Sequence, residues 1–401
     1  MKILVINAGS SSIKFKLVEQ QDLSTIVAGI IECIGTPDCK ISCHIYKAGE
    51  INAKQEEAHL LSSYREGFEL LIKYLFKRPF IKDPGHLAAI GHRVVHGGEQ
   101  FKQSALITEP VIEAIKKNIP LAPIHNPVSL TGINVFLEMF PEIPQVAIFD
   151  TAFHQTMPAK AFRYPLPEQL YTEYRIRRYG FHGTSHQYAA NCAAELLCKP
   201  LSKLNLITLH LGNGASAAAI KSGRSIDTSM GLTPLEGLMM GARSGDIDPA
   251  IIFYMTHFSG YGYEKIERLL NQESGLLGVC GSNDLREIER LIKQGDERAI
   301  LAIDMYCYRI KKYIGAYFAI LGGLDGLVFT AGVGENSSIV RLQVCQGLEH
   351  FGICINPEKN SEEINSATEI QSDSSTVKIL VIPADEELEI ARQTLACLHN
   401  G

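Results

Sequence analysis

No apolar run in the chain approaches the ~20 residues that a membrane-spanning helix requires. The first apolar run follows a single Lys2 and ends at Asn7, too short for the core of a signal peptide, so a cytoplasmic protein that binds no membrane is expected. Strong positive charge is also lacking. The net charge is -6, and the only basic knot is Arg175-Ile176-Arg177-Arg178, which argues against a general nucleic-acid binder. The ten cysteines include no Cys-x-x-Cys pair. Cys33, Cys39, Cys43 and His44 form the one cluster that could attract zinc, but their spacing matches no common zinc pattern. Reduced, buried thiols are the better account. Neither a Gly-x-Ser-x-Gly elbow nor a His-Glu-x-x-His helix occurs. What remains is 401 residues, 46% hydrophobic and 20% charged, enough for two ordinary globular domains.

Lys2–Val18 organises the chain. Ile3-Leu4-Val5-Ile6 reads as a buried strand and Asn7-Ala8-Gly9-Ser10-Ser11-Ser12 as a turn rich in donors. Ile13, Phe15 and Leu17 then alternate with Lys14 and Lys16 as in a returning strand. A P-loop or a Rossmann turn would instead run into a helix. A Gly/Ser turn of this kind can direct N–H groups and hydroxyls at a phosphate, or be an ordinary hairpin turn. Leu204–Ile220 repeats the pattern around Gly212-Asn213-Gly214. Two similar hairpins ~200 residues apart predict a duplicated fold.

Between and beyond them, Thr25–Tyr46 reads as further antiparallel strands and Ser63–Phe76 as a helix. Leu87–Ile90 is a short strand, followed by a glycine-punctuated turn at Gly91-His92-Arg93-Val94-Val95-His96-Gly97-Gly98. Gln145–Phe149 is a strand that ends in Asp150, where open α/β sheets place ligand groups; a structural turn aspartate is the alternative. Gly180-Phe181-His182-Gly183-Thr184-Ser185-His186 is a glycine-framed loop with two histidines. Ser185 is placed to cap the helix that follows over Gln187–Leu197. Gly231–Pro249 is irregular and carries Arg243, Asp246 and Asp248. Asp296–Leu321 is the strongest helix, with an aromatic stripe suited to core or subunit contact. Leu324–Phe329 is a buried strand ending in a glycine turn, Thr330 to Asn336. A last strand and a last helix follow, Val377–Pro383 and Asp385–Leu398, with Glu386 just inside the helix start.

Glycine turns at strand ends, two arginines in glycine-framed loops, histidines and separated acids fit phosphoryl transfer. That chemistry needs positioning, magnesium and fixed cations more than a covalent partner. Two motifs are specific: Ile3-Leu4-Val5-Ile6-Asn7-Ala8-Gly9-Ser10-Ser11-Ser12-Ile13-Lys14 and Gly180-Phe181-His182-Gly183-Thr184-Ser185-His186. Together with the stretches around Arg93, Asp150-Thr151-Ala152-Phe153-His154 and Arg243-Ser244-Gly245-Asp246, they resemble the acetokinase family. That family belongs to the acetate and sugar kinase, heat-shock-chaperone and actin superfamily, and the resemblance runs along essentially the whole chain.

The resemblance implies an α/β protein of two duplicated actin-like ATPase (ribonuclease H-like) domains with a nucleotide cleft between them. The expected division is 1–150 plus 386–401, and 151–385, the latter with the nucleotide site and the dimer surface of a homodimer. It implies reversible transfer of the ATP γ-phosphoryl group to acetate, with Mg2+ or Mn2+. Arg93 and Arg243 would clamp the phosphoryl group and the carboxylate, His182 would bond an equatorial oxygen, and His125 would support the same region. Asn7, Asp150 and Glu386 would organise the metal and its waters. Lys14, His210, Leu211, Gly212, Asn213 and Gly214 would meet the nucleotide, the last three at its phosphates. Asp284, Leu285, Arg286, Gly332, Val333, Gly334, Glu335 and Asn336 would line the adenosine site, and Val95, Ile124, Phe181 and Pro234 the methyl pocket. Ile124 stands where the family pattern has leucine, and one methylene in such a pocket shifts preference by only about 1–3 kcal/mol. A propionate or butyrate kinase is therefore the alternative, and an actin- or chaperone-like ATPase the rival from another class.

Overall fold

The computed structural model describes residues 1–9, 12–47, 49–78 and 80–400. Ser10 and Ser11 of the first Gly/Ser turn lie outside the described residues. The chain forms two compact units: unit 1, Met1–Gln155 with Asp385–Gly401, and unit 2, Thr156–Ala384.

Unit 1 is built on β1 (Lys2–Ala8), β2 (Ser12–Glu19), β3 (Thr25–Glu32), β4 (Lys40–Lys47), β5 (Glu50–Ala58), β6 (Leu87–Val94), β7 (Ala105–Leu106) and β8 (Gln145–Phe149), in the sheet order β5-β4-β3-β2-β1-β6-β8-β7. β1 to β5 form an antiparallel meander, while β1, β6 and β8 run parallel. Alternation along β1 serves both faces of the sheet, because successive side chains of a strand point to opposite sides. Leu4 and Ile6 join Phe68, Leu71 and Leu75 of the helix Tyr64–Lys77 and Phe136 of the helix Asn126–Met139. Ile3 and Val5 join Val146, Ile148 and the Ile390–Ala391 step of the helix Glu386–Asn400. Each such fully buried side chain is worth roughly 1.5–3 kcal/mol.

Unit 2 carries β9 (Asn205–Leu211), β10 (Ala215–Lys221), β11 (Arg224–Thr228), β12 (Gly326–Thr330), β13 (Thr368–Glu369) and β14 (Lys378–Val381), ordered β11-β10-β9-β12-β14-β13. β9 to β11 are antiparallel and β9, β12 and β14 parallel. This reproduces β3-β2-β1-β6-β8 strand for strand, so the duplication expected from the two hairpins is present in the topology. β10 is nearly all alanine and serine, which lets the helix Glu297–Leu321 approach the sheet closely. Asp296 caps that helix by accepting from the Ala299 N–H at 2.9 Å, and Gly322, at φ +75°, ends it.

Gly183–Leu196 packs on β9 and β12 of its own unit, and Glu386–Asn400 follows β14 yet packs on β1, β6 and β8. Unit 1 therefore receives, at its strand ends, the first turn of a helix from the far end of the chain.

Local expectations differ from the structure in four places. β6 continues through Gly91 to Val94 instead of breaking into a turn at Gly91. The glycine is there because a Cβ at residue 91 would lie 2.2 Å from Thr394 Oγ1 of the last helix. The helix expected to begin after a Ser185 cap begins at Gly183, with His182 at the N-cap position in a left-handed conformation, φ +57°. Thr330–Asn336 is not an open glycine turn, since a short helix, Ala331–Asn336, starts directly at the end of β12. β5 and the helix Ala250–Phe258 carry no clear periodic signal, and both are largely exposed. None of the ten cysteines forms a disulfide, and Cys43 lies buried with its thiol 2.6 Å from Tyr74 Oη.

His92 shows what burial does beside a functional residue. Its ring packs edge-on against Phe136, and Nε2 lies 2.9 Å from Gln145 Oε1. Burial pushes the imidazole down to about 4 from 6.5. The unfolded chain therefore takes up this proton first. The stability that His92 contributes is complete above about pH 6.5 and is lost as the pH falls towards 4. In denaturant titrations, the difference in unfolding free energy between wild type and His92→Asn is expected to shrink by about 3 kcal/mol over that interval.

Candidate active site

In unit 1 the ends of β1, β6 and β8 and the start of the last helix bring together charges that the sequence scatters. Arg93, near the end of β6, donates from Nε at 2.9 Å and from Nη2 at 2.5 Å to Asp150 Oδ2, just beyond β8. Its Nη1 donates to Asn7 Oδ1 at 3.1 Å. Asn7, buried near the end of β1, passes its own N–H to Glu387 Oε1 at 2.8 Å. Burial opposes the charge on Arg93, but Asp150 and Glu386 outweigh it and hold the guanidinium charged. Glu386 is its counterpart. Desolvation raises its carboxyl pKa, Asp150 and Glu387 add to the rise, and Arg93 and Lys14 oppose it. Lys14 is exposed on β2 and close enough to act on Glu386.

Unit 2 assembles a second group. The His182 and His210 rings stack with centroids 4.1 Å apart. His182 Nδ1 meets Ser216 Oγ at 2.9 Å, and His186 Nε2 meets the same hydroxyl at 2.8 Å. His186 Nδ1 reaches Thr208 Oγ1 and Ser185 Oγ reaches His210 Nδ1, each at 2.7 Å. Ser185 thus anchors His210 and does not cap the helix. The turn Gly212-Asn213-Gly214 lies against this group. A Cβ on Gly214 would stand 3.4 Å from the His182 ring and 3.7 Å from Arg243 Nη1. Gly241 donates to the Asn213 carbonyl at 3.0 Å and has no room for a Cβ, which would meet Asn213 Oδ1 at 2.1 Å. Arg243 is half-buried. Its Nη1 donates to the Pro234 carbonyl at 3.1 Å, and among the described residues no carboxylate pairs with it. Burial lowers its pKa.

The other predicted residues are more dispersed. Val95 and Phe181 are buried, Pro234 is half-buried, and Ile124 is 58% exposed. His125 precedes the helix Asn126–Met139. Leu211 ends β9 beside the Gly212 turn. Asp284 and Arg286 pair with each other at 2.7 Å on the surface, while Asp284 caps the helix Leu285–Lys293, which begins with Leu285. Gly332, Val333, Gly334, Glu335 and Asn336 form the short helix after β12. Glu335 Oε1 accepts from the Ala384 N–H at 2.9 Å, and burial raises its carboxyl pKa.

Three supporting residues escape a reading by motif. Arg341 is fully buried and donates to the carbonyls of Gly334 at 2.9 Å and Glu335 at 2.7 Å, and to Asn360, so it holds the Gly332–Asn336 turn. Its signal was its place on the buried stripe Val340, Arg341, Val344 and Cys345. Asn126 bonds both the N–H and the carbonyl of His96, fixing the segment after Val95. Ser216 links two histidines from within an alanine-rich strand, where nothing sets it apart.

Fixed cations, a glycine turn and oriented histidines, without an activated nucleophile, are equipment for positioning a phosphoryl group. On a duplicated pair of actin-like units they define a phosphotransferase. The acetokinase family model matches residues 2–392, and the chain belongs to that family. The acetate kinase of Sulfurovum sp. (strain NBC37-1) is 53% identical over 396 residues, covering 98% of both chains. The solved acetate kinase of Porphyromonas gingivalis superposes with a TM-score of 0.92 at 45% identity, covering 99% of each chain. A solved propionate kinase from Francisella tularensis subsp. tularensis SCHU S4 gives 0.90 at 44% identity, covering 98% of each.

Proposed function

We propose that the protein transfers the γ-phosphoryl group of ATP reversibly to acetate, forming acetyl phosphate and ADP by direct in-line displacement. The observation that carries this reading is the pair of unlike arginines. Arg93 is locked on one edge by Asp150 and Asn7, whereas Arg243 is half-buried with only a carbonyl partner. Each arginine suits the kind of anionic oxygen that a carboxylate or a transferring phosphoryl group presents. Acetate is already ionised at pH 7, so no general base is needed. Asp150 Oδ2 is committed to Arg93, which favours an orienting role over that of a covalent nucleophile. His182, held by Ser216 and His210, is assigned to an equatorial oxygen, with His125 in support. The turn Gly212 to Gly214 is assigned to the nucleotide phosphates, and Gly332–Asn336 with Asp284, Leu285 and Arg286 to the adenosine.

The donor set Asn7, Asp150 and Glu386 fits Mg2+, or Mn2+ in its place, since all three offer hard oxygens and the desolvated Glu386 sits beside two other carboxylates. Among the described residues no group of three or more His, Cys, Asp or Glu is placed to hold a metal ion. A magnesium ion keeps several waters and completes its shell with substrate phosphates. Bound there, the ion would neutralise phosphate charge.

The proposal divides the roles between 1–150 plus 386–401, holding the metal-organising acids, and 151–385, holding the nucleotide. It places the enzyme in the cytoplasm as a homodimer. The helix Ala250–Phe258 exposes Ile251, Ile252, Phe253, Tyr254 and Phe258, an apolar face of the kind that a second subunit covers. No helix among the described residues is long and apolar enough to cross a membrane.

A preference for propionate or butyrate is the second reading, favoured by Ile124 and by the similarity to a propionate kinase. Hydroxylamine trapping of acyl phosphate with Mg-ATP tests both. The expected outcome is the highest kcat/KM for acetate. A higher value for a longer acid would move the assignment to that acid, and no acyl phosphate from any acid would end the reading. Arg243→Ala is expected to stay folded and to lose about 10²–10³-fold in kcat, measured in the same assay. A chiral γ-phosphate is expected to emerge inverted, because a single in-line step inverts; net retention would point to a phosphoenzyme.

A further inference from the structure

The carboxylates of Glu386 and Glu387 lie in the first turn of a helix, and first turns fray unless capped. Here the cap is Asp385, whose Oδ1 accepts from the Leu388 N–H at 2.9 Å. The cap is itself held. Lys16 Nζ, from β2, bonds Asp385 Oδ1 at 2.5 Å and Oδ2 at 2.6 Å. Lys16 is only 8% exposed. A lysine withdrawn from water to that degree persists only where an anion repays its desolvation, so the pair holds a definite geometry.

The position of this pair in the chain gives it its importance. Asp385 is the first residue of the segment that returns to unit 1, and Ala384 is the last residue of unit 2. The Ala384 N–H is tied to Glu335, in the short helix assigned to the nucleotide. The crossing peptide is thus fastened on both sides, and on the unit 1 side Lys16 is the fastening. Ile390 and Ala391 pack the body of the helix on the sheet, but they sit a turn beyond the acids. The lateral placement of Glu386, and of Glu387 against Asn7 Nδ2, therefore depends on the Lys16–Asp385 pair.

We propose that Lys16 is a positioning residue for phosphoryl transfer, acting through Asp385 to fix Glu386 and Glu387. This rests on the phosphoryl-transfer reading of the site. Lys16→Met keeps the length of the side chain and removes its charge. It is expected to lower kcat about 10–100-fold, the scale that a small misplacement of reacting groups costs. The KM for acetate should change by less than about twofold, since Lys16 touches no substrate. The Leu388 amide should exchange its hydrogen faster, and Lys16→Arg should restore both kcat and protection. Wild-type kcat in folded Lys16→Met would overturn the proposal, as would a lost kcat that Lys16→Arg does not recover. If Lys16→Met fails to fold, Asp385→Asn keeps a capping oxygen and loses the charge pair; it is expected to lose kcat likewise, and wild-type turnover there would overturn the proposal. Should the wild-type protein form no acyl phosphate from any acid, the phosphoryl-transfer reading fails separately. Unchanged Leu388 protection in Lys16→Met, or in Asp385→Asn if the former does not fold, would then show that the clamp does not exist.

Discussion

A guanidinium that is largely withdrawn from water at the end of a central strand needs a carboxylate beside it, and Asp150 supplies one from the neighbouring strand. Much of unit 1 follows from that requirement. Residues 93 and 150 meet only if β6 and β8 are parallel neighbours in register, Arg93 opposite Ile148. Once they meet, Arg93 is left with an edge that reaches Asn7 on β1, and Asn7 with a donor that reaches Glu387. The chain of contacts crosses three strand ends and reaches the start of a helix. At its far end burial raises the pKa of Glu386, and Asp150 and Glu387 add to the rise.

Unit 2 answers the same topology with different chemistry. Its strand ends carry histidines and glycines where unit 1 carries acids, and its arginine has no carboxylate among the described residues. A paired arginine is a rigid fixture. A half-buried one with only a carbonyl partner keeps a desolvation cost that no carboxylate among the described residues offsets. The chain belongs to the acetokinase family, and in unit 2 His182, Gly214 and Arg243 lie close to one another.

The return of the last helix explains why Glu386 sits so far in sequence from Arg93 and Asp150. His182 and Glu386 both occupy the start of a helix that packs on a sheet. Helix starts offer free N–H groups and partial positive charge, so both are natural places to meet phosphate or to seat an acid. The cost is that these starts must be held from outside. Ser216 does so for His182 and Lys16 for the helix of Glu386. Arg341 does so for the turn after β12. Each of these holders is buried, and none belongs to a motif.

The sequence by itself determined the two hairpins, the duplication and the family. Hydrophobic alternation in Lys2–Val18 and Leu204–Ile220 is a local property that survives into the fold unchanged, and the motifs around Asn7 and His182 are contiguous. Local signals also misled where a glycine served packing. Gly91 resembles a turn until the last helix is seen against it, and Ser185 resembles a cap until His210 is seen to take its hydroxyl. Only the tertiary structure decided which charges pair. Lys16 with Asp385, Arg93 with Asn7 and Arg341 with Gly334 depend on strand order and on a helix arriving from the far end of the chain. A charge in sequence has no address until its partner is brought within hydrogen-bonding distance, and that is a property of packing, which spacing along the chain does not encode.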